Sequence, residues 1–192
     1  MKRTTWALLA LCCAACVSTS GAPERVNVVT PMPREIGSIL IQVAPMKAGS
    51  MKNIQGLNDA PQRFAREVMA ALKLKRPDWQ IALADPTAGG ANADLLVAAE
   101  ILEMDGGSAS SRFWIGFGAG KARSTAQVSI RDRDGRELAS AILSQATSCP
   151  TGACTESNEA MVLANLKDLA ADAAAFISNP VEFRQRVHGA SM

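Results

Sequence analysis

Residues 124–135 read STAQVSIRDRDG, and this stretch decides the fold. Apolar and polar side chains alternate along it: Ala126, Val128 and Ile130 are apolar, whereas Gln127, Ser129 and Arg131 are polar. A period of two predicts a strand with one buried and one solvated face. Asp134-Gly135 tolerates the positive φ of a tight turn, so a hairpin is predicted whose return strand runs from Glu137 to about Thr147.

Three more strands are predicted before this hairpin. Short apolar runs indicate strands at residues 36–43 and 80–84. Residues 93–104 are apolar on both faces, which favours a central strand. The predicted order of elements is β-α-β-β-β-β-α. We therefore predict an α+β domain over residues 35–180, with a single mixed, mainly antiparallel sheet and two helices packed on one face.

The two helices are predicted from apolar residues that recur every three to four positions. The first is capped by Asn58 or Asp59 and ends at Pro77, and its apolar stripe contains Phe64, Val68 and Leu72. The second begins near Ser157 and ends at Asn179-Pro180. Its stripe comprises Val162, Leu166, Leu169, Ala170, Ala173, Phe176 and Ile177, with Asn165, Asp168 and Asp172 off it. Residues 181–192 are predicted to form a poorly ordered tail.

The first residues have the pattern of a secretory leader. Lys2 and Arg3 precede an apolar run over residues 6–15, about 15 Å long as a helix, which is too short for a hydrocarbon core of about 30 Å. Cys13-Ala14-Ala15-Cys16 resembles a bacterial lipoprotein box, with Cys13 where leucine is usual. We predict that residues 1–15 are removed and that Cys16 is acylated, with palmitate among its acyl chains, so that the protein is a lipoprotein. An ordinary signal peptide or an uncleaved anchor remains the alternative.

The residue after Cys16 indicates the membrane to which the protein is sorted, and the residues that follow it indicate a tether. Val17, rather than aspartate, follows the cysteine, which by resemblance to enterobacterial sorting favours the outer membrane, facing the periplasm. Residues 16–34 contain several Gly, Pro and Ser residues and no helical period, so a flexible tether is predicted. Fully extended, this tether would reach about 60 Å.

The charge balance argues against nucleic acid as a partner. The chain has 20 basic and 18 acidic residues, and loss of Lys2 and Arg3 with the leader leaves 18 of each. A neutral mature protein lacks the basic surface that phosphate backbones require.

Cys149 and Cys154 are the cysteines outside the leader region. In an oxidising periplasm a structural disulfide is predicted between them, worth about 2 kcal/mol through chain entropy. A redox site usually has a shorter Cys-x-x-Cys spacing, and a zinc site needs four ligands. No metal or cofactor is predicted.

Residues suited to catalysis are scattered. His188 is the sole histidine and lies in the predicted tail, where no third group would hold it rigidly. Glu100 and Glu103 point to opposite faces of a regular strand, and Asp132 and Asp134 lie on the turn. We predict that the protein is not an enzyme.

Residues 112–122 read RFWIGFGAGKA and concentrate the chain's aromatic residues. A phosphate loop is excluded because Ile115 and Ala122 occupy positions that need glycine and serine or threonine, so no nucleotide is expected. Two interpretations stay open: a strand whose glycines let another backbone pass closely, with the rings in the core, or an interaction surface. The residues of the predicted interaction surface are Arg112, Phe113, Trp114, Gly116, Phe117, Gly118, Gly120 and Lys121.

This segment, followed by an alternating strand and an Asp-x-x-Gly turn, resembles proteobacterial lipoproteins catalogued as domain of unknown function 4410. The resemblance covers roughly residues 36–177 and rests mainly on residues 112–135. It implies a lipoprotein of the cell envelope but supplies no catalytic or binding residues.

The sequence thus predicts a lipid-anchored, non-catalytic envelope protein that binds the membrane through Cys16 and an envelope protein through residues 112–122. A small-molecule or lipid-binding module, with the same segment as a pocket wall, is the alternative. A carboxylate-based periplasmic hydrolase is the third hypothesis.

Overall fold

The predicted hairpin belongs to a mixed eight-stranded sheet in the computed structural model. The structure describes residues 17–20, 25–33, 35–84, 93–108, 120–148 and 157–189. The strands are β1 (Val17–Ser20), β2 (Arg25–Val28), β3 (Ser38–Val43), β4 (Met51–Lys52), β5 (Gln80–Leu83), β6 (Leu95–Asp105), β7 (Ala122–Asp132) and β8 (Glu137–Ser148). The helices among these residues are α1 (Ala60–Lys75), α2 (Asn158–Ser178) and α3 (Pro180–Gly189).

The sheet order is β1-β8-β7-β6-β3-β5; in addition, β2 pairs with β8 and β4 pairs with β6. β6, β7 and β8 pair antiparallel, as do β1 and β2 with β8. β3 runs parallel to both β5 and β6, and β4 is parallel to β6. The predicted α+β class with a mixed, mainly antiparallel sheet is therefore confirmed.

Helices α1 and α2 pack against each other and against one face of the sheet. The predicted stripe of α1 is buried, with Phe64, Val68 and Leu72 at most 2% exposed. The apolar stripe of α2 is also buried. Asn165 is fully buried, so the prediction that it lies off the buried stripe is wrong, whereas Asp172 is half-buried. Both side chains reach polar partners on β8.

The predicted flexible tether over residues 16–34 is wrong for two segments. β1 pairs with β8 from Val17↔Ser148 to Ser20↔Gln145, and β2 pairs with the same edge from Arg25↔Ile142 to Val28↔Ala139. Strands of four residues carry little sequence signal, and the β8 edge supplies the hydrogen-bond partners that order them.

The predicted poorly ordered tail is wrong for residues 181–189, which belong to α3. Pro180 starts this helix rather than only ending α2, because proline fits the first helical position. The Asn179 side chain accepts a hydrogen bond from the Glu182 amide at 3.1 Å, and Asn179 Nδ2 donates to the Glu182 carboxylate. Phe183 is 5% exposed and packs edge-on against Phe176, with ring centroids 5.8 Å apart.

Candidate functional site

Several chain segments converge at one end of the sheet. We call it the converging end: β1 and β7 begin there, β6 and β8 end there, and Val17, Asp105, Ala122 and Ser148 mark it. Val17 pairs with Ser148, Ala122 pairs with Thr147, and Asp105 pairs with Arg123. The β7–β8 turn at Asp132–Arg136 marks the opposite end, which we call the hairpin end.

The sequence-predicted site residues adjoin the converging end along the chain. Cys16, residues 109–119, and Cys149 and Cys154 lie outside the described residues. Cys16 directly precedes Val17, and Cys149 directly follows Ser148. Residues 109–119 connect Ser108 to Gly120. The described residues that flank the predicted lipidation site, aromatic segment and disulfide therefore lie together.

Two glycines make a close backbone contact at this end. Gly107 and Gly120 both have φ of +69°. A Cβ atom on Gly107 would lie 2.2 Å from the Gly120 carbonyl oxygen and 2.6 Å from that of Lys121. The missing side chain of Gly107 therefore lets the backbone at Gly120 and Lys121 approach closely. Both interpretations of residues 112–122 stay predictions. Lys121 is exposed and Ala122 is fully buried.

Gly106 is packed as tightly as Gly107. A Cβ atom there would lie 2.6 Å from Ile54 Cγ2 and 2.7 Å from both Asn158 Cβ and the Asn53 carbonyl oxygen. The end of β6 therefore passes between the loop after β4 and the start of α2. Sequence reasoning missed this crossing, although the Gly106-Gly107 doublet after a strand was a visible signal.

A hydrogen-bond network fixes the crossing. Asp105 Oδ1 accepts from Asn53 Nδ2 at 2.9 Å and from the Gly107 amide at 2.8 Å. Asn158 Nδ2 donates to the Asn53 carbonyl at 2.8 Å. Asn53 has φ of +56°, a left-handed conformation that asparagine tolerates better than most residues. β4, β6 and α2 are thus joined at one point.

An open depression of about 710 Å³ lies beside this network. Its lining is mostly polar and comprises Asn53, Ile54, Gln55, Gly107, Ser108, Asn158 and Glu159. The pKa of the Glu159 carboxyl is lowered, chiefly by its own backbone amide, with that of Gln55 adding to the effect. This carboxylate stays charged and accepts hydrogen bonds from backbone amides at the N-terminus of α2, which favours a structural role.

A buried polar cluster lies beneath α2, next to the converging end. Gln145 Nε2 donates to Asp172 Oδ2 and Thr147 Oγ1 donates to Asn165 Oδ1, both at 2.5 Å. Ser124 Oγ, Gln145 Oε1 and Asn165 Nδ2 are buried and have no partner among the described residues. Burial raises the pKa of Asp172, and the hydrogen bond from Gln145 opposes that shift.

The predicted opposite orientation of Glu100 and Glu103 is wrong because β6 contains a bulge. The register shifts between Ile101 and Glu103, so Glu100 pairs with Gln127 and Glu103 with Thr125, which lie on the same face of β7. Lys47 bridges Glu100 and Lys52 bridges Glu103, each at 2.6 Å. Both carboxylates therefore serve ion pairs on the sheet face opposite α1 and α2.

The remaining candidates for chemistry are separated. Asp132 and Asp134 lie at the hairpin end, where Asp132 accepts from the amides of Asp134 and Arg136. His188 is exposed on α3, with Nδ1 3.0 Å from the Arg184 carbonyl. In the described part of the chain, no group of three His, Cys, Asp or Glu residues is placed to hold a metal ion. No helix in that part is both long and apolar enough to cross a membrane.

These features define the class of protein: an α+β domain whose mixed sheet carries two long helices on one face. More particularly, the chain belongs to the family described as Domain of unknown function (DUF4410), which matches residues 27–149.

The chain also resembles solved structures of bacterial proteins. The PelC dodecamer from Paraburkholderia phytofirmans is 12% identical over 81% of this chain and 96% of that chain, with a TM-score of 0.48. Protein XCC0632 from Xanthomonas campestris, of family DUF330, is 16% identical over 85% of this chain and 95% of that chain, with a TM-score of 0.45. No curated protein matches the sequence significantly.

Proposed function

We propose that this protein is a non-catalytic lipoprotein of the outer membrane, acylated at Cys16 and facing the periplasm, that binds an envelope protein through residues 112–122. One observation carries the proposal: Val17, which follows Cys16, lies at the same end of the sheet as Gly120 and Ala122. The anchor and the interaction segment then act at one surface.

The leader supports the anchor. Small residues precede Cys16, and a basic start precedes the apolar run. Two or more acyl chains hold a protein at a membrane almost permanently, since each buried CH₂ contributes about 0.8 kcal/mol. The disulfide between Cys149 and Cys154 belongs to the same proposal, and it would close the connection between β8 and α2.

The composition of the segment supports an interaction role. Aromatic and arginine side chains are enriched at the energetic centres of protein interfaces. Arg112 and Lys121 flank Phe113, Trp114 and Phe117 in the sequence. The close Gly107–Gly120 contact fixes the point at which the segment rejoins the sheet.

Fatty-acid labelling in cells tests the anchor. We expect the wild-type protein to incorporate a clickable palmitate analogue and to fractionate with the outer membrane, and Cys16→Ser to do neither. Cys149→Ser is the matched control, because it removes a cysteine that is not predicted to be acylated, and it should keep the label. Labelling of Cys16→Ser at the wild-type level would refute the anchor.

A small-molecule or lipid-binding module is the second candidate. The depression beside Ser108 favours it, because residues 109–119 continue directly from one of its lining residues. Binding should raise the melting temperature of the purified domain in a screen of envelope lipids and glycans. Absence of a shift with every compound would count against this candidate and leave the interaction role standing.

A further inference from the structure

We infer that the converging end is the surface that rests on the phospholipid headgroups, with no spacer between the acyl chains and the folded domain. The inference rests on the proposed acylation of Cys16 and adds the orientation and the lipid contact. Its structural basis is the register Val17↔Ser148, which begins β1 one residue after Cys16.

The short stretch of chain between Cys16 and β1 limits the distance between the acyl chains and the folded domain. Adjacent Cα atoms are about 3.8 Å apart, so Cys16 lies within about 4 Å of a residue paired to the end of β8. A free tether over residues 16–34 would have allowed the domain to stand away from the bilayer. β1 and β2 instead occupy the outer edge of β8 as the chain runs from the converging end to the hairpin end. The acyl chains must therefore enter the bilayer beside the converging end.

The charges at this end suit a phosphate layer. Lys121 and Arg123 are exposed, and neither forms an ion pair within the described residues. The nearby carboxylates Asp105 and Glu159 already have hydrogen-bond donors: Asp105 accepts from Asn53 and the Gly107 amide, and Glu159 from backbone amides. Cations near a membrane surface are attracted to anionic headgroups.

The rest of the described surface there is polar rather than apolar. The exposed loop residues there include Gly49, Lys52, Asn53, Gln55 and Gly56. Such a surface fits contact with headgroups rather than insertion into hydrocarbon. The hairpin end lies far away, since β7 spans eleven residues, or about 36 Å at the usual rise per residue.

The test uses the full-length acylated protein in vesicles of phosphatidylethanolamine and phosphatidylglycerol that carry a nitroxide on some headgroups. A genetically encoded fluorescent amino acid replaces Lys121 or Gln55 at the converging end, or Asp134 or Lys75 near the hairpin end, in separate variants. All four positions are exposed, so the label should not disturb the core. We expect loss of most of the emission at positions 121 and 55 and no loss at positions 134 and 75.

A spacer variant provides the second measurement. Eighteen Gly and Ser residues inserted between Cys16 and Val17 would separate the domain from the bilayer by a root-mean-square distance of about 24 Å. We expect this insertion to abolish most of the quenching at position 121. The β1–β8 pairing would be kept, because the insertion precedes the first paired residue.

The outcomes separate this inference from the proposed function. Mass spectrometry of the purified protein reports acylation independently, and an unacylated N-terminus would overturn both. An acylated protein with equal quenching at positions 121 and 134 would overturn the orientation and leave the anchor intact. Quenching at position 121 that the spacer leaves unchanged would likewise contradict direct seating on the headgroups.

Discussion

At the scale of single residues, glycine at position 107 is required for two separable reasons. Its φ of +69° is left-handed, and a Cβ atom there would strike the Gly120 carbonyl. Gly135 shares the first feature only, since its φ is +78° and a Cβ atom added there would meet nothing within 4 Å. Substitutions at Gly107 and Gly135 therefore distinguish the effect of backbone strain from that of a close contact.

We expect Gly107→Ala to lower the free energy of unfolding by about 3 kcal/mol, because strain and a steric clash add. Gly135→Ala should cost about 1 kcal/mol, from strain alone. Urea unfolding monitored by circular dichroism measures both. Equal losses would show that the backbone crossing at Gly107 and Gly120 does not constrain the fold.

Asp172 makes the stability of the folded protein depend on pH, and the direction of its pKa shift gives the sign of that dependence. Its pKa is raised from the ordinary 3.8, mainly by burial, while Gln145, Arg186 and Lys75 lower it and Asp168 adds to the rise. The folded state then binds the proton more tightly than the unfolded chain does. Stability falls as the pH rises from about 3.8 through the raised pKa of Asp172.

Asp172→Asn should therefore raise the melting temperature at neutral pH, since a neutral amide still accepts from Gln145 without the cost of a buried charge. The two proteins should converge below pH 3.8, where Asp172 is protonated in both states. Thermal melts across this range provide the measurement. A lower melting temperature for the variant at pH 7 would show that the charge is needed by the fold.

At the scale of elements, Asp94 joins the starts of β3 and β6. Its carboxylate accepts from the amides of Gly37 and Ser38 at 2.8 Å and from the Ser38 hydroxyl at 3.1 Å, and Arg133 pairs with it from the hairpin end. The Ser38 and Gly37 amides hold the pKa of Asp94 below its usual value. Its stabilising effect is thus present at neutral pH and is lost as the pH falls through the lowered pKa.

Asp94→Asn should lower the melting temperature at pH 7, because the amide oxygen carries no charge for these donors. The difference from wild type should shrink as the pH falls below 3.8. Asp134→Asn serves as the control, since that exposed carboxylate reaches Arg136 only at 3.5 Å, and it should have little effect. A pH-independent difference at Asp94 would contradict the electrostatic explanation.

Helix α3 makes an aromatic contact with α2. Phe183 is buried against Phe176, whereas Val181 on the same helix is 45% exposed. We expect Phe183→Ala to cost about 3 kcal/mol and Val181→Ala less than about 0.5 kcal/mol. Chemical denaturation measures both, and a small effect at Phe183 would restore the idea of a loosely attached tail.

The elements that the sequence predicted are those with a repeated pattern over many residues. β7 shows its period of two, Asp134-Gly135 shows its turn, and α1 and α2 show their stripes. β1 and β2 were missed because each has four residues, and their order comes from pairing with β8 rather than from their own composition. α3 was missed because Pro180 was interpreted only as a stop signal.

The candidate site was less predictable than the fold. The aromatic segment stands out in the sequence, but the network of Asn53, Asp105 and Asn158 depends on contacts between residues about 50 to 105 positions apart. The sequence also contains no pattern that predicts the bulge in β6, which turns Glu100 and Glu103 to one face of the sheet. Asn165 was predicted outside the buried stripe because its polar partner, Thr147, lies on another element.

At the scale of the whole molecule, the strand registers place the residue after Cys16, the return of the aromatic segment and the end of β8 at one surface. These three features are far apart in the sequence, at positions 17, 120 and 148. An anchor at that surface would bring residues 112–122 within reach of membrane-bound partners. The hairpin end would project into the periplasm.

The most direct test of this account is photo-crosslinking in living cells from positions 114 and 117, with position 134 at the hairpin end as the matched control. The account predicts that Trp114 and Phe117 replaced by a photoreactive amino acid each capture the same envelope protein, that position 134 does not, and that Cys16→Ser abolishes the capture. Crosslinks from positions 114 and 117 that stay within the chain itself would contradict it, because the rings would then belong to the core.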